Sequence, residues 1–178
     1  MLLTTKRLLI LAWMFITFSG CAMYQSAVKS SFPYTSTLVV PASSKPGSTG
    51  SAISMATSFD QNFGKNNADR VKMVRIVSAK LMSTDPTDYN LGNLSEVRVY
   101  LSNNDGQEEV MVASRSDIGA NVGNNVVLDI DNSNMLDELV REPEIRVRMT
   151  YKVRKASKSD ASVHVVLGLA AYPAPKSK

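Results

Sequence analysis

From about residue 76 to the C-terminus, apolar side chains recur at every second position. Ile145, Val147, Met149, Tyr151 and Val153 alternate with Arg146, Arg148, Thr150, Lys152 and Arg154. Val97, Val99 and Leu101 alternate with Glu96, Arg98 and Tyr100, and Val163, Val165, Leu167, Leu169 and Ala171 form a last run. Shorter runs are Val77, Ala79, Leu81, then Val110, Val112, then Val126, Leu128, Ile130. Successive strand side chains point to opposite sides of a sheet, so this pattern buries one face and wets the other. It admits few folds other than antiparallel β structure.

The gaps between runs carry turn chemistry. Asn103-Asn104-Asp105-Gly106, Gly123-Asn124-Asn125 and Ser157-Lys158-Ser159-Asp160 offer residues that tolerate tight-turn conformations. Upstream, Thr37 to Val40 reads as a first strand and Ala52 to Phe59 as a weaker one, either side of the loop PASSKPGSTGS at 41–51. One segment has helical spacing: Met135, Leu136, Leu139 and Val140, with Asn134 as N-cap, Asp137 and Glu138 in the first turn and Pro143 as a stop. Seven or eight strands with one short crossover helix predict an all-β, single antiparallel β-sandwich with Greek-key connections. A closed barrel is compatible with the same alternation.

The N-terminus has a different character. Lys6 and Arg7 precede eleven residues, Leu8 to Phe18, that are apolar but for one threonine. As a helix this run spans roughly 17 Å, against about 30 Å for a bilayer core, which suits a signal sequence better than a membrane span. Phe18-Ser19-Gly20-Cys21 follows, with small residues before the cut and a thiol to acylate. These four residues resemble the lipobox of bacterial lipoproteins, although Phe18 stands where an aliphatic residue is usual. The resemblance implies cleavage ahead of Cys21 and fatty acids on that cysteine; no other cofactor is expected. The expected organisation is a signal peptide at 1–20, a lipidated cysteine and tether at 21–35, and the sandwich domain at 36–178.

Residues 70 to 172 also resemble, by pattern rather than by a diagnostic motif, a loose group of Gram-negative lipoproteins with one immunoglobulin-like sandwich. That resemblance implies an immunoglobulin-like fold and supplies no catalytic residues. Ala22 follows the cysteine, with no aspartate to suggest retention at the inner membrane, so the outer membrane is the expected location. Cys21 is the only cysteine, so the exported domain has no internal disulfide and rests on its core. With 158 residues left after cleavage, such a chain buries about 70% of its unfolded surface as one domain.

Charge and chemistry exclude more than they suggest. The chain carries +4; without Lys6 and Arg7 the balance is 18 cations against 16 carboxylates, which gives no global reason to expect nucleic acid. His164 is the sole histidine and lies on the polar side of its strand, so neither a Ser-His-Asp site nor a zinc set is expected. Asp129-x-Asp131-x-Ser133 opens like a calcium loop, but Asn134 and Val140 occupy the places of the required glycine and glutamate. Asp85 and Asp88, in the loop TDPTDYN, remain a weak cation candidate. No enzyme is expected.

The most informative local charge is basic. Residues 144–158 hold six Lys or Arg against Glu144, a local +5. Arg146, Arg148, Lys152 and Arg154 share one side of a strand, with same-face neighbours about 6.8 Å apart. Such a row is either a solvated face neutralised by Glu96, Glu108 or Glu109 on neighbouring strands, or a docking stripe for an acidic partner or anionic lipid. The expected function is a lipid-anchored, non-enzymatic accessory or structural subunit of a cell-envelope assembly, held to the membrane and bound to a protein partner. The alternative is a small-ligand or glycan-binding lipoprotein. Oligomeric state is not legible.

Overall fold

The computed structural model of the protein describes residues 30–57 and 71–173. The Phe18–Cys21 motif and residues 22–29 of the expected tether lie outside the described residues. The rest forms nine strands: β1 (Ser30–Val40), β2 (Thr49–Thr57), β3 (Val71–Asp85), β4 (Leu94–Asn103), β5 (Val110–Arg115), β6 (Asn125–Val127), β7 (Asp129–Ile130), β8 (Ile145–Val153) and β9 (Ala161–Pro173). They make two antiparallel sheets, here sheet A in the order β1-β9-β3-β6 and sheet B in the order β2-β8-β4-β5-β7. The architecture is an all-β sandwich. Each sheet keeps two free edges, so the described strands do not close into a barrel.

The core follows from the alternation. On β8, Ile145, Val147, Met149, Tyr151 and Val153 are at most 3% exposed, and on β9 Val163, Val165, Leu167 and Leu169 are fully buried. These inward rows meet Leu38, Leu81, Val97, Val99 and Leu101 from other strands in one apolar cluster. Fully burying one such side chain contributes about 1.5–3 kcal/mol. The β4–β5 turn uses the expected residues: Gly106 has φ +78° and donates its N–H to the Asn103 carbonyl at 3.0 Å.

The strand order departs from the immunoglobulin expectation, which would hydrogen-bond β1 to β2. Instead β1 pairs with β9, β2 with β8, β3 with β6 and β4 with β5, as nested partners. A long hairpin rolled up in this way is the connectivity of a jelly roll. Alternation alone could not show this, because it fixes which side of a strand is buried and not which strand lies beside it.

Four local differences have identifiable causes. β1 starts at Ser30, so residues 30–35 belong to a strand paired to β9 rather than to the tether. The segment expected as a crossover helix makes only a 3-10 turn at Leu139–Arg141. There Asp137 accepts from the backbone N–H groups of Met73 and Val74 instead of serving a helical first turn, while Leu136, Leu139 and Val140 sink into the core. Val77, expected inside with Ala79 and Leu81, is 48% exposed because the β3–β9 register shifts between Ile76 and Ser78. Ile130, expected to continue the inward row of Val126 and Leu128, is 39% exposed on the two-residue edge strand β7.

Candidate functional site: the outer face of sheet B

β8 lies between β2 and β4, so its outward side chains form the middle of a broad face. Lys152 stands opposite Glu96 and Thr49, Thr150 opposite Arg98 and Ser51, Arg148 opposite Tyr100 and Ile53, and Arg146 opposite Ser102. The stripe expected on one strand is thus part of a two-strand field that includes Arg98.

Each cation has a different environment. Arg148 engages Glu109 with a two-pronged ion pair, Nε to Oε1 at 2.6 Å and Nη2 to Oε2, and its Cζ sits 4.4 Å from the Tyr100 ring centroid. The planar guanidinium fits the carboxylate and stacks on the ring at once. The hydrogen bond from Arg148, helped by the charges of Arg148 and Arg146, holds the Glu109 carboxyl below the usual glutamate range. The same hydrogen bond and charge hold Arg148 further into its cationic form. Arg98 pairs with Glu96 at 2.6 Å while its side chain stays 53% exposed. A pair this open adds at most about 1 kcal/mol to stability.

Arg154 leaves the stripe altogether. At the end of β8 its guanidinium donates to three backbone carbonyls: Gly92 at 2.7 Å, Ile118 at 2.6 Å and Leu94 at 3.4 Å. It ties the β3–β4 connection to the loop after β5. Asn90 stitches the same loops, accepting from the N–H groups of Gly92 and Gly123 and donating to the Ala120 carbonyl at 2.7 Å. Gly92 packs so closely there that a Cβ on it would lie 2.2 Å from the Ala120 oxygen.

Arg146 and Lys152 remain. Neither side chain has an ion pair or hydrogen bond among the described residues, and both carboxylates on the face are engaged elsewhere, Glu96 by Arg98 and Glu109 by Arg148. Arg146 reaches over the β4–β5 turn, where a Cβ on Gly106 would lie 2.6 Å from its Nη1. Lys152 borders a shallow depression of about 390 Å³ lined by Gly47, Thr49, Glu96, Arg98 and Thr150. The face therefore carries four cations against two carboxylates, a net +2. Glu96 and Glu109 provide the expected neutralisation in part; Glu108, whose backbone takes φ +54°, makes no ion pair among the described residues.

The other candidates are placed as follows. Asp131 accepts from the backbone N–H and hydroxyl of Ser133, a local turn whose hydrogen bonds hold its carboxyl below the usual range. Asp129 pairs with Arg115. No group of three or more His, Cys, Asp or Glu side chains converges among the described residues, so no third side chain of these types joins Asp85 and Asp88. His164 is half-buried on the outer face of sheet A, opposite Thr37 and Met82.

No protein-family model matches the chain, and no curated protein does. Solved structures similar at low level include the following three. One, titled Desmodium yellow mottle tymovirus, shares 9% identity over 85% of this chain and 92% of its own, with a TM-score of 0.25. A structure described by the promiscuous specificity of carbohydrate-binding modules from the β-sandwich superfamily shares 8% identity over 77% of this chain and 54% of its own, TM-score 0.28. The cryo-EM structure of Mud crab tombus-like virus shares 10% identity over 88% and 87%, TM-score 0.30.

Proposed function

We propose that the protein is a lipid-anchored, non-enzymatic subunit of a cell-envelope assembly. It is acylated at Cys21, sits at the outer membrane, and docks an acidic protein partner on the outer face of sheet B. The observation that supports docking is the pair of uncommitted cations, Arg146 and Lys152, on a face whose carboxylates are already engaged. Such charges add little to folding but steer a partner of opposite sign, an effect that fades with salt. The lipobox supports the anchor from sequence alone.

The test is a detergent pull-down of the acylated protein beside the double variant Arg146→Glu/Lys152→Glu. The Arg148–Glu109 pair and the Arg154 contacts stay intact, so the variant should melt like wild type. Wild type should recover its partner better at low than at high ionic strength, and the variant should lose both the recovery and the salt dependence. Equal recovery by the two proteins overturns the docking face. A small-ligand reading is second, resting on the depression beside Lys152. There the Tyr151 ring is turned inward, 3% exposed, and offers no aromatic platform.

A further inference from the structure

The opposite side of the sandwich has another character. The outward positions of sheet A carry Lys72, Arg75 and Lys80 along β3, and no carboxylate lies within ion-pair distance of any of them among the described residues. Beside them stand exposed apolar side chains, Val77 and Met73 each at 48% and Val127 at 71%, while Val39, also 48% exposed, lies on β1 in line with Ser162 and Asp85. Arg75 and Val77 border a hollow of about 230 Å³ with Met73, Ala170 and Tyr172. The remaining positions are mostly small or β-branched, such as Thr35, Thr37, Val166 and Gly168. Asp137, on the Met73 N–H, and Asp85, at the end of β3, flank the face at its two ends. Sheet B shows carboxylates inside its field; sheet A shows cations and apolar groups.

We infer that the outer face of sheet A lies against an anionic lipid surface, with Val39, Val77, Met73 and Val127 at headgroup depth and Lys72, Arg75 and Lys80 on the phosphates. The inference rests on acylation at Cys21, and chain length favours this occupant. Only residues 22–29 separate Cys21 from Ser30, the first residue of β1, which is an edge strand of this same sheet. Eight residues span at most about 28 Å. The edge of sheet A is thereby held within a strand's length of the bilayer. Tethering on that scale gives an effective concentration in the millimolar range, so even a weak lipid affinity is populated. A second copy on this face would set three cations against three. With sheet A down, the uncommitted cations of sheet B point away from the membrane, where a partner is met.

The experiment uses the acylated full-length protein in vesicles of phosphatidylethanolamine and phosphatidylglycerol. Cys21 is the only cysteine and is blocked by acylation, so Val127→Cys and Ile53→Cys each add one thiol for a fluorophore. Ile53 is 49% exposed on the sheet B face and reports the opposite side. A bilayer-borne quencher should extinguish the label at 127 and spare the one at 53. Each basic residue near an anionic surface is worth about a fivefold preference. Changing Lys72, Arg75 and Lys80 to Gln should therefore cut the face-down population relative to the lifted one by roughly a hundredfold. The variant should still float with the vesicles and melt like wild type.

Equal quenching at both positions, in protein that floats and is released by Cys21→Ser, overturns the inference and spares the anchor. Failure to float, or undiminished floating of Cys21→Ser, refutes the anchor and the inference together. Shielding at 127 that persists in detergent, with crosslinking between copies, assigns the face to a second protomer and also overturns it.

Discussion

Arg154→Met removes a guanidinium that the sequence places in the basic row and the structure places under the loops. Two of its three hydrogen bonds are short, 2.7 Å to the Gly92 carbonyl and 2.6 Å to the Ile118 carbonyl. The third, to Leu94 at 3.4 Å, is too long to count for much. A hydrogen bond to a charged group contributes about 1.5–3 kcal/mol net. The site is only partly buried, so water replaces some of what is lost. The variant should lose about 3 kcal/mol, which for a domain of this size lowers Tm by roughly 10 °C. Lys152→Met, two residues earlier, should change stability by under about 0.5 kcal/mol. Arg154→Lys should restore only part of the loss, because one ammonium cannot match a planar fork that reaches two carbonyls on different loops. Urea melts of the three variants under one buffer decide the matter. A loss at Arg154 no larger than that at Lys152 would return the residue to the solvated row and refute the clamp.

Two further outcomes test the face assignment and its electrostatics. Val147 is fully buried, so Val147→Asp should unfold the domain, with a loss above about 4 kcal/mol; Arg148→Asp should stay folded in thermal melts and lose about 1–2 kcal/mol, because Glu109 then faces a like charge. Glu109 has a lowered folded pKa, so its contribution is complete above the usual glutamate range and disappears as pH falls through the lowered value. Glu109→Gln should accordingly be less stable than wild type at neutral pH and indistinguishable from it near about pH 2 in chemical denaturation.

Much of the fold was legible because a two-residue period says which side chains are buried. Ile145 to Val153 and Val163 to Leu169 fell where the alternation put them. What failed was non-local. Val77 needed knowledge of a register shift that only pairing with β9 reveals. The helix at 135–140 failed because Asp137 found two N–H groups on β3, more than sixty residues away in sequence. In sequence the basic row shows four like charges with nothing to tell them apart, since a single strand shows neither its neighbours nor its end. Glu109 on Arg148 was among the foreseen neutralisers. Arg98, on the next strand, was missed because its place in the field depends on the β4–β8 register. The carbonyls that capture Arg154 carry no side-chain signature at all.

The nesting of strand pairs has a consequence in time. The innermost pair is local: Leu101 meets Val110 across a short turn. The outermost is the most distant, Val40 with Ala161 and Ser30 with Ala171, separations of 121 and 141 residues. Closing a loop that long costs entropy before any contact repays it, so folds dominated by such pairs form in milliseconds to seconds rather than microseconds. A chain made from its N-terminus thus presents β1 first and completes it last. Until β9 arrives, the first strand has no native ladder to join.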